Sequence, residues 1–279
     1  MTAPTNPPEL DLALKTLWGA TQLPFSAAVP TPYASESFQT TRRRLEQLVG
    51  VRACGLLHGP NGVGKTLLVQ HFLNALPDKR YKPLVLSHSS VTGTDLLRLL
   101  CTELGQTPRM RRSDNILLIR QGWQQLERLW PVVVLDEAQN LSATALEEVR
   151  LLTCDRRDTQ PPFSLLLVGD QQLLPRLQMG INAPLLARLS FCLQLQPWTG
   201  QELTGYIQGR LQEVGIHTNP FDAPALQLLV QAGNGLPRLL NHLAQRALEE
   251  AAAQNSPTVT ATHLQRALAL LPWAAQLAK

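Results

Sequence analysis

No two of the four cysteines stand at C-x-x-C spacing, and the six histidines are scattered without a metal-ligand pattern. A structural metal and an oxidising compartment are therefore not indicated, and Cys54, Cys101, Cys154 and Cys192, each in or beside an apolar run, read as buried free thiols. Charge of neither sign dominates. Lys and Arg number 25 against 21 Asp and Glu, a net +4 that permits nucleic-acid binding without requiring it, so any basic footprint must be local. Long hydrophobic runs are also missing: no window reaches the roughly 18 uninterrupted apolar residues of a membrane span. The opening "MTAPTNPPELD" lacks the basic and apolar regions of a signal peptide. The expectation is a cytoplasmic protein with no membrane partner. Trp18, Trp123, Trp130, Trp198 and Trp273 do not interleave with basic residues, which argues against a stacking platform for single strands.

What is present is a globular composition, 44% hydrophobic and 16% charged, over 279 residues, enough for one large core and a smaller attached domain. Residues 1–34 are rich in proline, weakly helical up to residue 16 and then extended through Pro24, Pro30 and Pro32. A helix is expected from Ser35, and strands and helices then alternate. "ACGLLH", "PLVLS", "VVVLDEA", "FSLLLVGD" and "FCLQLQ" read as strands, and "KTLLVQHFLNAL", "TDLLRLLCTEL", "NILLIRQGWQQLERL" and "SATALEEVRLLT" as helices. Short apolar strands separated by helices predict an α/β fold with a parallel sheet covered on both faces. After Pro197 only helical patterns remain; Leu236, Leu239, Leu240, Leu243 and Ala247 recur at helical spacing. The predicted divisions are an extended segment 1–34, an α/β domain 35–197 and a small helical domain 198–279.

Gly59-Pro60-Asn61-Gly62-Val63-Gly64-Lys65-Thr66 fits the phosphate-loop pattern, with Leu67 following it into the helix. Such a loop wraps phosphates with backbone N–H groups, so glycines stand where side chains would block approach. The helix behind it points its positive end at the same phosphates. Lys65 adds a cation, and Thr66 offers a hydroxyl to Mg²⁺. Asp136, closing "VVVLD", suits the same Mg²⁺ shell, and Glu137 suits a residue that orients or activates water. The adjacent Asp-Glu favours water as acceptor, and hence an ATPase using ATP and Mg²⁺. Arg109, Arg111 and Arg112 cluster on a loop set up by Gly105, Thr107 and Pro108. Their planar donors suit phosphate oxygens; a solvated loop is the other reading. Arg42, Arg43 and Arg44 read as a solvated or subunit-contact cluster.

The order of these motifs, with "LDEAQ", "LLLVGDQQLL" and "GNGLPRLLNHLAQRAL", resembles the AAA+ superfamily. More narrowly, it is similar to the ExeA-like ATPases and their TnsC-type and TniB-type relatives that regulate DNA transposition. The resemblance spans roughly residues 17 to 270. It implies that Asp170 falls at sensor 1, where relatives more often carry an uncharged polar residue and where a helix cap is the alternative. It implies that Arg238 is sensor 2, and that Arg188 is an arginine finger acting on a neighbouring subunit, with Arg176 as the fallback. It places the Arg109–Arg112 loop on DNA. The implied function is an ATPase that assembles as a ring or helical homo-oligomer on duplex DNA, through backbone contacts, and regulates a separate transposase. No nuclease-like acidic triad is seen, so strand chemistry belongs to that partner. The rival is an ExeA-type secretion-assembly ATPase, which would carry a membrane segment and a periplasmic part after the ATPase; the sequence up to Lys279 shows neither.

Overall fold

The computed structural model describes residues 7–25, 32–87, 92–154 and 161–271. In chain order the elements begin with α1 (Pro7–Trp18), α2 (Glu36–Gly50), β1 (Cys54–His58), α3 (Lys65–Asn74), β2 (Tyr81–Leu86), α4 (Gly93–Glu103), α5 (Arg112–Gln125) and β3 (Trp130–Leu135). They continue with α6 (Ala143–Leu152), β4 (Ser164–Gly169), α7 (Leu173–Leu177), α8 (Ala183–Leu186) and β5 (Leu189–Gln194). The last elements among the described residues are α9 (Gly200–Glu213), α10 (Ala223–Gly233), α11 (Pro237–Ala253) and α12 (Ala261–Ala269). Two compact units result: an α/β unit of Glu36–Pro60 and Lys65–Gln196, and a helical unit of Met1–Ser35, Asn61–Gly64 and Pro197–Lys279.

In the α/β unit the strands lie in the order β2-β3-β4-β1-β5, and every neighbouring pair is parallel. All residues of β1 and β4 are buried, as are all of β3 after Trp130. Such continuous apolar strands require helices on both faces, and α3 to α6 carry matching stripes such as Leu96, Leu97, Leu100 and Ile119. Side-chain caps mark helix starts: Thr92 accepts from Asp95 N–H before α4, and Ser142 from Ala145 N–H before α6. The edge strand β5 alternates in burial, and there Cys192 is exposed. Together with the half-buried Cys154, this corrects the expectation that all four thiols are buried; an edge strand has a neighbour on one side only. Because the strands are parallel, β1, β3 and β4 deliver their C-terminal loops to one end of the sheet, where ligands bind in open α/β folds.

In the helical unit the periodic leucines of α11 are buried together with Ala247. Phe221 bridges to Val259, and Thr260 and His263 form a capping box on α12. The N-terminal segment is part of this unit. Its helix α1 begins with Pro7 and Pro8, which a first helical turn tolerates because its N–H groups have no partner inside the helix. This helix falls where weak helicity was expected, up to residue 16. Trp18 Nε1 donates to Pro257 O at 2.7 Å, Thr21 N–H to Val214 O at 2.9 Å, and Arg210 Nε to Pro24 O at 3.0 Å. Tyr33 meets the Trp198 and Tyr206 rings at 5.2 and 5.8 Å. Pro30 and Trp273 lie outside the described residues.

Candidate nucleotide-binding site

The loop after β1 turns through Gly62 (φ 84°) and Gly64 (φ 105°), left-handed conformations that residues with a β-carbon enter only with strain. Around Gly64 there is open space, so backbone conformation rather than crowding asks for glycine. Val63 is buried, Pro60 half-buried and Asn61 exposed. Lys65 starts α3 with its stem buried, and its Nζ donates to Gly59 O at 2.9 Å and Pro60 O at 3.1 Å. Thr66 is exposed and Leu67 half-buried behind it. At the end of β1, burial and then the Lys65 cation hold the His58 imidazole below its usual pKa. Burial pushes the Cys54 thiol up to about 11.

From β3 comes Asp136. Its Oδ2 accepts from Thr66 Oγ1 at 3.2 Å, and its Oδ1 accepts from Glu137 N–H at 2.9 Å. A hydroxyl and a carboxylate in direct contact form a hard-oxygen pair, the donor type a small divalent cation takes. Glu137 is exposed and itself left-handed, at φ 53° and ψ 37°. That bend folds the chain back, and Gln139 Nε2 donates to Glu137 Oε2 at 2.6 Å.

From β4 comes Asp170. Its Oδ1 accepts from Gln172 N–H at 2.8 Å, so the carboxylate is engaged with its own turn just before α7. The Asp170 N–H donates to Gln139 Oε1 at 3.2 Å. Gln139 thus joins the second and third loops. It sits inside "LDEAQ", yet only the left-handed turn at Glu137 brings it back, and no local pattern announces that turn. Arg176 is committed within the same unit: its guanidinium donates to the carbonyls of Gln139 and Leu141.

Arg188 is half-buried at the start of β5 and donates to Pro184 O and to Cys154 Sγ. In the helical unit, Arg238 is exposed in the first turn of α11, and its N–H donates to Gly62 O at 3.2 Å. The basic cluster divides in two. Arg109 and Arg111 are exposed on either side of Met110, and the buried Asn115 side chain pins the loop, accepting from Arg109 N–H at 2.7 Å and donating to Arg109 O at 3.0 Å. Arg112, by contrast, is held by Glu148, with Nη2 to Oε2 at 2.8 Å. It stands in the first turn of α5 and not on the loop where the sequence reading put it. No group of three or more His, Cys, Asp or Glu suited to a metal occurs among the described residues, and none of their helices is long and apolar enough to cross a membrane.

The family described as "AAA domain" matches residues 49–177. General secretion pathway protein A of Aeromonas hydrophila is 32% identical over 250 residues, covering 86% of this chain; the chain spans 45% of that relative's length. Among solved structures, Cdc6p from Pyrobaculum aerophilum superposes with a TM-score of 0.73 at 17% identity, over 88% of this chain and 70% of that one. The Aeropyrum pernix ORC1 protein, solved in complex with DNA, gives a TM-score of 0.62 at 18% identity, over 86% of this chain and 66% of that one. At such identities the likeness is one of fold. Residues 49–177 thus match the AAA domain family, and the five-stranded parallel sheet has the fold of the P-loop AAA+ structures on which it superposes.

Proposed function

We propose that this protein is a cytoplasmic AAA+ ATPase that binds ATP with Mg²⁺, hydrolyses it, and assembles in copies, as a ring or helix, along duplex DNA to regulate a separate transposase. The observation carrying the nucleotide reading is the Thr66–Asp136 pair, one oxygen donor from each of two motifs, in direct contact. Thr66 and Asp136 would hold Mg²⁺, whose charge neutralises the phosphate oxygens. The backbone N–H groups of the Gly59–Gly64 loop cradle the phosphates, and Lys65 exchanges its two carbonyl acceptors for phosphate oxygens. Glu137 orients a water. The water oxygen bonds to the γ-phosphorus as the bond to the β–γ bridging oxygen breaks, ADP leaves with that electron pair, and the water proton passes through Glu137 to solvent. Arg188 is assigned to the ATP of a neighbouring copy and Arg238 to nucleotide sensing beside Gly62.

The DNA part is supported by the exposed, backbone-pinned Arg109–Arg111 loop, which offers donors to phosphates without a base-reading element. The secretion-pathway relative favours a second reading, a secretion-assembly ATPase. ATP turnover by wild type, Lys65→Ala and Glu137→Gln, with and without duplex DNA, tests these readings. Lys65→Ala should lose tight ATP binding; Glu137→Gln should keep it and lose turnover; DNA should change the wild-type rate and sediment with the protein only when ATP is present. Turnover indifferent to DNA, with no co-sedimentation, would sink the DNA reading in favour of the secretion one. Equal hydrolysis by wild type and Glu137→Gln would remove Glu137 from the mechanism.

A further inference from the structure

Both ends of the Gln139 carboxamide are committed. Nε2 donates to Glu137 Oε2 at 2.6 Å, and Oε1 accepts from the Asp170 N–H at 3.2 Å. These partners fix the orientation of the amide, because an ionised carboxylate only accepts and a backbone N–H only donates. The fit is close: a β-carbon on Gly169 would lie 2.6 Å from Oε1. The Gln139 backbone is held as well, since Arg176 donates to its carbonyl and to that of Leu141. The Glu137 carboxylate, by contrast, is on an exposed residue; among the described residues, its side-chain partner is Gln139.

We infer that Gln139 is a positioning residue that aims the Glu137 carboxylate and ties it to the end of β4, so that hydrolysis depends on it and nucleotide binding does not. This rests on the ATPase reading of the same site. With Oε2 taken by the amide, Oε1 of Glu137 remains for water. Without the amide the carboxylate samples several rotamers, and a misplacement of about 1 Å at a reacting group can cost on the order of a hundredfold in rate. The route of coupling is short. The Asp170 N–H closes β4, and α7, which follows it, carries the Arg176 that grips the Gln139 carbonyl. Any shift of the β4–α7 junction therefore moves the carboxylate.

The test compares wild type, Glu137→Gln, Gln139→Ala and Gln139→Glu in the full chain. It reads kcat and KM for ATP, nucleotide Kd, and amide hydrogen exchange at Asp170 without nucleotide. Gln139→Ala should lower kcat by about tenfold to a hundredfold, with Kd held within about twofold. Its Asp170 N–H, deprived of its acceptor, should exchange faster. Gln139→Glu keeps the shape and the acceptor, so Asp170 stays protected, but the donor towards Glu137 becomes a carboxylate. Protonation restores that donor, so the activity of Gln139→Glu relative to wild type should climb as pH falls. The charged groups facing this pair are Asp136 on the same turn, Asp170 at the end of β4, and Arg176 from α7. Should Gln139→Ala fail to fold, the isosteric Gln139→Glu carries the test alone. Wild-type kcat in both Gln139 variants, beside an inactive Glu137→Gln, would overturn the role of Gln139 while leaving the ATPase reading intact. So would a Gln139→Glu pH profile parallel to wild type. A wild-type chain without turnover would overturn the ATPase reading and this role together.

Discussion

Arg112, in the first turn of α5, and Glu148, on α6, meet as a two-pronged ion pair, and the Glu148 side chain is only 10% exposed. The hydrogen bond to Glu148 also raises the Arg112 pKa. A cation in a first helical turn opposes the helix dipole, so the carboxylate is what makes the position tolerable. Arg112→Ala would leave a nearly buried carboxylate without its partner. Urea unfolding should show a loss of about 1–3 kcal/mol, with part of it regained in Arg112→Ala/Glu148→Gln, where no charge is left alone. A single variant as stable as wild type would show that the pair contributes nothing.

It follows that DNA binding is best examined at Arg109 and Arg111, whose removal leaves no buried partner behind. Replacing both with Ala should weaken duplex binding by similar factors across unrelated sequences. The slope of log K against log salt should also flatten, by about one unit for every arginine–phosphate pair removed from each bound protomer. ATP binding should persist. Unchanged slopes in a salt titration would reduce the cluster to a solvated loop.

Arg188 tests assembly. Arg188→Ala should bind ATP normally and hydrolyse it poorly, by a factor of about a thousand if it matches other arginine fingers. Mixed with Lys65→Ala chains, it should regain part of the rate, since each supplies at a shared interface what the other lacks. Mixed oligomers without rescue would assign Arg188 to its own chain, through Pro184 and Cys154.

His58 gives the fold a pH dependence of definite sign. Its imidazole has a lowered pKa when folded, first through burial and then through Lys65, so the unfolded chain takes up a proton more readily. Its contribution is complete above the usual imidazole pKa of about 6.5 and is lost as pH falls through the window down to the lowered folded value. Thermal unfolding from pH 7.5 to 5 should show Tm falling, and His58→Asn should fall less steeply. Parallel curves would remove His58 from the acid response.

The parts legible in the sequence were those written in local pattern. "GLLH", "VVVL" and "SLLLVG" are short, mostly apolar runs of the kind that a sheet buries on both faces, and Gly62 and Gly64 mark a phosphate loop because that turn needs positive φ. What stayed hidden lies between residues far apart in the chain. Arg112 finds Glu148 36 positions away, and Gln139 finds the Asp170 N–H 31 positions away. Neither pairing leaves a periodic trace, because each depends on which helices and loops the parallel sheet sets side by side. The weak helix of the proline-rich opening was legible, but not its place in the helical unit, which rests on pairings such as Trp18 with Pro257, 239 residues on.

Glu137 has a consequence for how the sequence can drift. A left-handed residue with a β-carbon costs roughly 1 kcal/mol, which glycine avoids and asparagine lessens. Selection for stability alone would therefore replace Glu137, while its proposed role in turnover would retain it. The two pressures oppose each other at this one codon, and in a lineage released from the need to hydrolyse ATP it is among the first positions expected to change, towards a sturdier and idle protein.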